Sequence, residues 1–113
     1  MNIKDDIQLK PGNYAVIFIT ERRDNMIDYN DMDIRTMHEA QTMEGFIGYE
    51  SLRIPPMGIF ISYWKDRASI DRWKEHTLHL EAKAMGKSNW YDAYRSIVCP
   101  VEHVQFFRRQ RPS

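Results

Sequence analysis

The chain has 113 residues, of which 42% are hydrophobic and 28% charged, as expected for one globular domain. Its 16 basic and 16 acidic side chains balance, so the overall positive charge that is typical of nucleic-acid-binding proteins is absent. The single cysteine, Cys99, excludes an intramolecular disulfide bond and a metal site of the CxxC type.

The sequence shows no pattern of a signal peptide or a membrane span. Its first residues are mostly polar, and the longest apolar run, residues 15–19, is far shorter than the roughly 20 residues of a spanning helix. We therefore expect a cytoplasmic protein with three parts. These are a flexible N-terminus over residues 1–13, a folded domain over 14–107 and a basic tail over 108–113.

A strand and a helix open the folded domain. Residues 14–20 predict the strand, because the run is short, β-branched and almost entirely apolar. Residues 27–44 contain neither glycine nor proline and repeat apolar residues at helical spacing, which predicts an amphipathic helix. Gly45 stands where a glycine commonly ends a helix.

Two further strands follow as a hairpin. Residues 46–53 mix apolar and polar side chains, as a less covered strand does, and residues 58–64 form the second strongly apolar run. Pro55, Pro56 and Gly58 supply the turn between them.

The last third of the chain predicts a second helix and a final strand. Asp66 is a candidate N-cap, and Gly86 ends the helix. Its inward-facing stripe consists of Ile70, Trp73, Thr77, Leu80 and Ala84. A short further helical turn carries Trp90, Tyr91 and Tyr94. The final strand covers residues 96–107, and Pro100 assigns it to a sheet edge because proline cannot donate a ladder hydrogen bond.

The resulting order, β-α-β-β-α-β, predicts an α+β fold. In the simplest closed arrangement, two helices pack on one face of a four-stranded antiparallel sheet, and right-handed crossovers place the first and third strands in the centre. These are the two most apolar strands, and the strand that contains Pro100 falls at an edge. The face without helices needs a covering partner, and we expect a homodimer joined sheet to sheet.

Aromatic side chains are the strongest functional signal. The chain has three Trp, six Tyr and five Phe, and it lacks the motifs of phosphate-binding loops, nucleophile elbows and HExxH metal sites. The pocket expected between the second helix and the sheet is lined by Phe60, Trp64, Trp73, Trp90 and Tyr94. These rings either fill a core or wall a pocket for a small flat aromatic ligand.

Two histidines lie near this aromatic set on the predicted second helix. Helical phase places His76 beside the buried face and His79 further out. They are either surface histidines or functional groups, as a general base or an axial haem ligand. No further ligand for zinc lies nearby in the sequence, and the acidic residues around the start of the first helix suit its positive end. No metal site is therefore predicted.

Many of these residues resemble the antibiotic biosynthesis monooxygenase family, over about residues 14–107. The matching residues are Ser62-Tyr63-Trp64-Lys65, Trp73-Lys74, His79, Ala82, Gly86, Trp90-Tyr91, Tyr94, Val98 and Val101-Glu102, with Gly45 to Glu50 upstream. The resemblance implies a ferredoxin-like protomer and a dimeric α/β barrel. The family includes cofactor-independent oxygenases that act on polyaromatic quinol-like compounds, and haem-degrading monooxygenases.

Both branches of the family use residues that this chain replaces. Haem-degrading members carry an asparagine on the first strand, a tryptophan on the second helix and a histidine ten residues later. Trp73 matches the tryptophan, whereas residues 14–20 lack asparagine and Lys83 stands at the histidine position. The quinol-oxidising type pairs an asparagine with a tryptophan near the end of the third strand. Trp64 matches that tryptophan, and Phe60 stands four residues earlier.

The leading hypothesis is a cofactor-independent monooxygenase that acts on a small aromatic, quinol-like substrate, with His79 and His76 as candidate bases. In that chemistry the electron-rich anion of the substrate reduces oxygen, and the protein supplies orientation, desolvation and hydrogen bonds. The alternatives are a haem-binding or haem-degrading protein and a non-catalytic dimer that binds a small aromatic ligand. Neither nucleic acid nor a membrane is an expected partner.

Overall fold

The predicted order of strands and helices is confirmed. A computed structural model of the chain describes residues 3–22, 29–76, 80, 84 and 91–109, with the backbone alone for residues 29–34. The elements in chain order are β1 (Tyr14–Arg22), α1 (Tyr29–Thr42), β2 (Phe46–Ile54), β3 (Met57–Trp64), α2 (Arg67–Glu75) and β4 (Tyr91–Pro100). Each strand of the hairpin is one residue longer than its sequence pattern indicates.

The four strands form one antiparallel sheet in the order β2-β3-β1-β4. The two most apolar strands, β1 and β3, are therefore central, as predicted, and β4 is an edge strand. With both helices packed on the same core residues of the sheet, this is the ferredoxin-like α+β arrangement that the sequence predicts.

The final strand begins five residues earlier and ends seven residues earlier than the predicted span of 96–107. It begins at Tyr91, so the predicted helical turn is wrong for Tyr91 and Tyr94, which belong to β4. Aromatic residues fit the half-buried surface of a strand, and here that preference outweighs their helical spacing. Pro100 is the last residue of the strand, where its missing N–H interrupts no ladder.

Gly45 and Asp66 mark helix ends, as predicted. Gly45 has a φ of +88°, a conformation that a side chain strongly disfavours. A Cβ there would also overlap with the hydroxyl of Ser69, so the turn after α1 touches the start of α2. Asp66 is the N-cap of α2, and its Oδ1 accepts hydrogen bonds from Ser69 N at 2.8 Å and Ser69 Oγ at 2.7 Å.

Helix α2 ends earlier than the periodicity predicts, although Leu80 and Ala84 beyond it are helical. It ends before His76, which is extended with a ψ of 133°. The predicted inward stripe is confirmed at Ile70 and Trp73, which are buried. It is wrong at Leu80, which is 51% exposed, and at Ala84, which is also exposed, because the extended residue ends the helical phase. Thr77 and Gly86 lie outside the described residues. Neither α2 nor any other helix in the described part of the chain is long and apolar enough to cross a membrane.

The core lies between the helices and one face of the sheet, which we call the helix face. Its buried hydrophobic side chains are Ala40 from α1, Trp64 from β3, and Ile70 and Trp73 from α2. Around them pack the partly buried side chains of Tyr14, Val16, Met37, Met43, Phe46 and Val98. Both helices therefore cover the end of the helix face at which β3 finishes.

The opposite side of the sheet, which we call the open face, is apolar. Side chains alternate along a strand and paired residues share a face, so the register assigns its members. The apolar members are Ile17, Ile19, Leu52, Ile54, Met57, Ile59, Ile61 and Ile97. Five of them are between 37% and 69% exposed. An apolar surface of this kind is suited to docking a partner.

Candidate active site

Two aromatic clusters lie on the helix face, and the first, which we call the closed cluster, belongs to the core. Trp64 and Trp73 have ring centroids 6.2 Å apart with an interplanar angle of 28°, and Phe46 meets Trp64 edge-on at 5.2 Å. Trp64 is 1% exposed and Trp73 8%. The indole N–H of Trp64 donates to Ser62 Oγ at 3.0 Å, so its one polar atom is satisfied inside the core.

His76 borders the closed cluster, as the helical phase predicts. Its ring stacks on Trp73 with a centroid distance of 5.3 Å, and its Nε2 lies 3.7 Å from Glu39 Oε2 on α1. The His76 side chain is 30% exposed. His76 therefore connects the end of α2 to α1 while it remains accessible to solvent.

The second cluster, which we call the aromatic wall, is an open row of rings further along the helix face. Its members are Phe18, Tyr49, Phe60, Tyr91 and Tyr94. Phe18 meets Tyr91 at 5.6 Å and Tyr94 at 5.4 Å, and Tyr49 stacks on Phe60 at 5.3 Å with an interplanar angle of 18°. Phe18 and Phe60 are paired across β1 and β3, so the two groups are contiguous. All five rings are half-buried or exposed.

Polar groups accompany the rings of the aromatic wall. Three of the five rings are phenols, and Lys4 Nζ lies 3.8 Å from the centroid of the Tyr49 ring. Thr20 is 5% exposed and pairs with Tyr94 across β1 and β4, on the same face. An ammonium group and hydroxyls can donate hydrogen bonds, and the rings can stack on a flat molecule. The wall therefore suits an aromatic ligand that carries oxygen atoms.

The structure divides the predicted pocket residues between the two clusters. Phe60 and Tyr94 lie in the aromatic wall, whereas Trp64 and Trp73 lie in the closed cluster beside His76. Trp90 and His79 lie outside the described residues. The roles of all these residues in binding and catalysis stay predictions.

The sequence reasoning missed Phe18 and Tyr49 as wall residues. A signal for both was present in the predicted elements. The turn at Pro55 and Pro56 sets the register of the hairpin, which places Tyr49 opposite Ser62 and hence on the face of Phe60. Once β1 and β3 are paired at the centre of the sheet, Phe18 falls directly opposite Phe60.

Away from the aromatic wall, the hydrogen-bonded pair of Tyr63 and Glu50 has a structural environment rather than a catalytic one. On the open face, the Tyr63 phenol donates a hydrogen bond to Glu50 Oε2 at 2.6 Å. Burial, together with this bond and the negative charge of Glu50, raises the pKa of Tyr63 well above its ordinary value, so the phenol remains a neutral donor. Among the described residues, no group of three or more His, Cys, Asp and Glu side chains could hold a metal ion.

Comparison with known proteins establishes the family. A profile of the antibiotic biosynthesis monooxygenases matches residues 10–85, well over half of the chain. The chain belongs to this family. The uncharacterized protein YqjZ from Bacillus subtilis is 36% identical over 100 residues, which cover 88% of both chains. The family resemblance that the sequence analysis identifies is therefore confirmed.

Solved structures of this family share the fold at low sequence identity. SnoaB, a cofactor-independent oxygenase from Streptomyces nogalater, superposes with a TM-score of 0.66 at 14% identity, covering 88% of this chain and 96% of SnoaB. A Nitrosomonas europaea protein provisionally assigned to the same family gives a TM-score of 0.71 at 10% identity, covering 83% of this chain and 94% of that one. At these identities the likeness shows the fold and nothing finer.

Proposed function

We propose that this family member is a small oxygenase that needs no cofactor and acts on a small, flat, quinol-like aromatic molecule held at the aromatic wall. The observation that carries the proposal is the contrast between the two clusters on the helix face. Core packing closes one, while the other presents five partly exposed rings with phenols among them. Contacts between aromatic rings stabilise a complex by about 0.5–1.5 kcal/mol each beyond the burial of their area.

The reaction fits a site without a redox cofactor because the substrate supplies the electrons. A ring CH2 group next to a phenol loses a proton, and the resulting anion reduces oxygen. One oxygen atom enters the substrate as a carbonyl group, the other leaves as water, and the four electrons come from the substrate. The wall would orient the ring and exclude water, while its phenols and Lys4 would stabilise the negative oxygen.

We also propose His76 and His79 as proton acceptors and Trp90 as a substrate-binding residue, while Trp64 and Trp73 would support the site from the core. Support for His76 comes from its position at the border of the core, where Glu39 orients the ring and solvent still reaches it.

The proposal includes a homodimer formed through the open face. Four strands at about 4.8 Å and eight residues at about 3.3 Å give this face an area of roughly 500 Å² before side-chain relief is counted. Apolar patches on monomers rarely exceed a few hundred Å², and stable interfaces take about 800 Å² from each partner. Five exposed aliphatic side chains on this area therefore support a second copy as its cover.

A non-catalytic ligand-binding dimer is the second candidate. One observation favours it: Phe60, which stands where the quinol-oxidising type has an asparagine, is stacked on Tyr49 inside the aromatic wall. A ring at this position adds to binding and removes a polar group that could act on the substrate. The two candidates differ only in turnover, so one experiment separates them.

The haem alternative has no support in the residues present. The strand β1 contains no asparagine, and Lys83 replaces the histidine expected ten residues after Trp73. His76, at the end of α2, already lies against Glu39 and the Trp73 ring. We therefore derive no step through haem.

An anaerobic titration followed by oxygen uptake tests the function. Hydroxylated naphthalenes and anthrones serve as probes, binding is read from tryptophan fluorescence, and consumption is read with an oxygen electrode. We expect saturable binding and oxygen uptake that forms a quinone. The variant Phe60→Ala loses ring contacts and should raise the Kd at least about tenfold.

The matched control is Phe107→Ala, because Phe107 is 73% exposed and lies outside the wall. It should bind the probes as the unmodified protein does, and Phe60→Leu, which keeps the apolar volume, should show an intermediate Kd. Saturable binding without oxygen uptake across the panel would select the non-catalytic candidate. Absence of binding, or equal losses in both alanine variants, would reject the wall as the site.

A further inference from the structure

We propose that the ligand of the aromatic wall is an aromatic acid, and that Lys4 selects it by binding its carboxylate at the end of the wall formed by β2. The inference rests on the proposed function and adds a negative charge that the ligand carries. Lys4 precedes residues 10–85, the part of the chain that the family profile matches. The selectivity is therefore a property of this chain's own N-terminal residues.

The segment that carries Lys4, residues 3–13, is held against the sheet at two points. Asn13 is 3% exposed, and its Nδ2 donates a hydrogen bond to the carbonyl of Lys65 at 3.1 Å, just after β3 ends. Ile7 packs on edge strand β2 at Gly48, where an added Cβ would lie only 2.8 Å from Ile7 Cγ1. The segment therefore extends from the start of β1 to the edge of the sheet at β2.

Arg108, near the other end of the chain, fixes the backbone on both sides of Lys4. Its Nε donates to Asp5 Oδ1 at 2.7 Å, and its Nη2 donates to the backbone carbonyl of Ile3. The carboxylate next to Lys4 in the sequence is thus paired with Arg108. A backbone that is already held loses less conformational entropy when a ligand binds to its side chain.

The ammonium group of Lys4 stands at one end of the aromatic wall. Its Nζ lies 3.8 Å from the centroid of Tyr49, the ring on edge strand β2, and Tyr49 stacks on Phe60 of β3. The Lys4 ammonium forms no ion pair or hydrogen bond with a described residue. Contact with a ring face attracts a cation without using its N–H groups as conventional hydrogen-bond donors, so three donors and a full charge are available to a ligand.

A carboxylate on the ligand is the partner that this position fits. The acidic residue next to Tyr49, Glu50, lies on the open face and accepts the Tyr63 bond there, so it does not compete for Lys4. Hydrogen bonds between two charged groups are about twice as strong as neutral ones, which lets Lys4 distinguish an acid from a neutral ring of the same shape. With three donors, Lys4 binds the carboxylate and keeps one N–H for a neighbouring phenolic oxygen.

Anaerobic calorimetric titration of the full chain at neutral pH tests the selectivity. The probes are 6-hydroxy-2-naphthoate, its methyl ester and 2-naphthol, which share one ring system and differ in the charge and size of one substituent. We expect the acid to bind at least about fivefold more tightly than the ester. In Lys4→Gln the two Kd values should lie within about twofold of each other, whereas Lys4→Arg, which keeps the charge, should retain the preference.

Two controls separate a placed ammonium from a general effect of charge. Lys10 is exposed on the same segment, so Lys10→Gln removes an equal charge and should keep the preference for the acid. Asp5→Ala removes a negative charge together with the contact to Arg108. General electrostatics would strengthen the preference in that variant, whereas loss of the held backbone should weaken it at least about twofold.

The outcomes distinguish this inference from the function on which it rests. Equal affinity for acid and ester in the unmodified protein, or equal losses in Lys4→Gln and Lys10→Gln, would overturn the carboxylate and leave the aromatic wall as a binding site. Absence of saturable binding for all three probes would overturn both the wall and the role of Lys4.

Discussion

At the scale of single residues, Gly45 shows how one position can hold two helices together. Its φ of +88° ends α1, and its missing side chain leaves the space that the Ser69 hydroxyl of α2 occupies. Its carbonyl also accepts a hydrogen bond from Lys65 N at 2.7 Å. We predict that Gly45→Ala lowers the free energy of unfolding by about 3 kcal/mol, from backbone strain of about 1–2 kcal/mol together with overpacking. Urea denaturation measures the change.

Gly12 provides the comparison that separates these two causes. Its φ is +98°, and a Cβ there would meet nothing within 4 Å. Gly12→Ala should therefore cost only the backbone strain, about 1–2 kcal/mol. Equal losses at both positions would show that contact with Ser69 contributes nothing.

At the scale of elements, the start of α2 makes stability depend on pH. Hydrogen bonds from the Ser69 side chain and backbone hold the pKa of Asp66 below its ordinary value of 3.8. A lowered pKa in the folded state means that the carboxylate stabilises the fold above pH 3.8 and that this contribution is lost as the pH falls through the lower, folded-state value. We predict that Asp66→Asn shows a smaller fall in urea midpoint between pH 5 and pH 2 than the unmodified protein does.

The control for this dependence lies on the same helix. Asp71 is an exposed carboxylate 3.4 Å from Arg67 that caps no helix. Asp71→Asn should therefore retain the slope of the unmodified protein. A slope that is the same in all three proteins would contradict the role assigned to Asp66.

The elements that could be predicted from sequence are those with local signals. Gly45 and Asp66 mark helix ends by their own chemistry, and the apolar runs of β1 and β3 indicate central strands. The end of α2 carries no such signal, because His76 is neither glycine nor proline and the helical spacing of apolar residues continues beyond it. The start of β4 was missed for a related reason, since aromatic residues suit both strand and helix.

The candidate site was predicted only in part, because its rings come from different strands and are brought together by the register of strand pairing. Phe60 and Tyr94 are separated by two strand crossings, and Phe18 is the ring that connects them. Spacing along the chain also predicted that Trp64 and Phe60 line the same pocket. Burial distinguishes them, since Trp64 is under both helices and Phe60 is further along the strand.

At the scale of the whole molecule, one sheet has two faces of different composition. The helix face combines the core with the aromatic wall, and the open face presents mainly aliphatic side chains. Strand β3 serves both faces with adjacent residues, because Ile59 points to the open face and Phe60 to the helix face. Assembly and ligand binding should therefore be separable by substitutions one residue apart.

That separation is a prediction about the whole assembly. Ile59→Lys places a charge in the aliphatic centre, and we expect it to dissociate the dimer while the probe Kd stays within about twofold of the unmodified protein. Phe60→Ala should do the reverse and weaken probe binding while the protein remains a dimer. Sedimentation velocity and probe titration on the same samples measure both properties. If Ile59→Lys also loses the probe, the aromatic wall needs the second copy to hold its shape, and the two faces act together rather than separately.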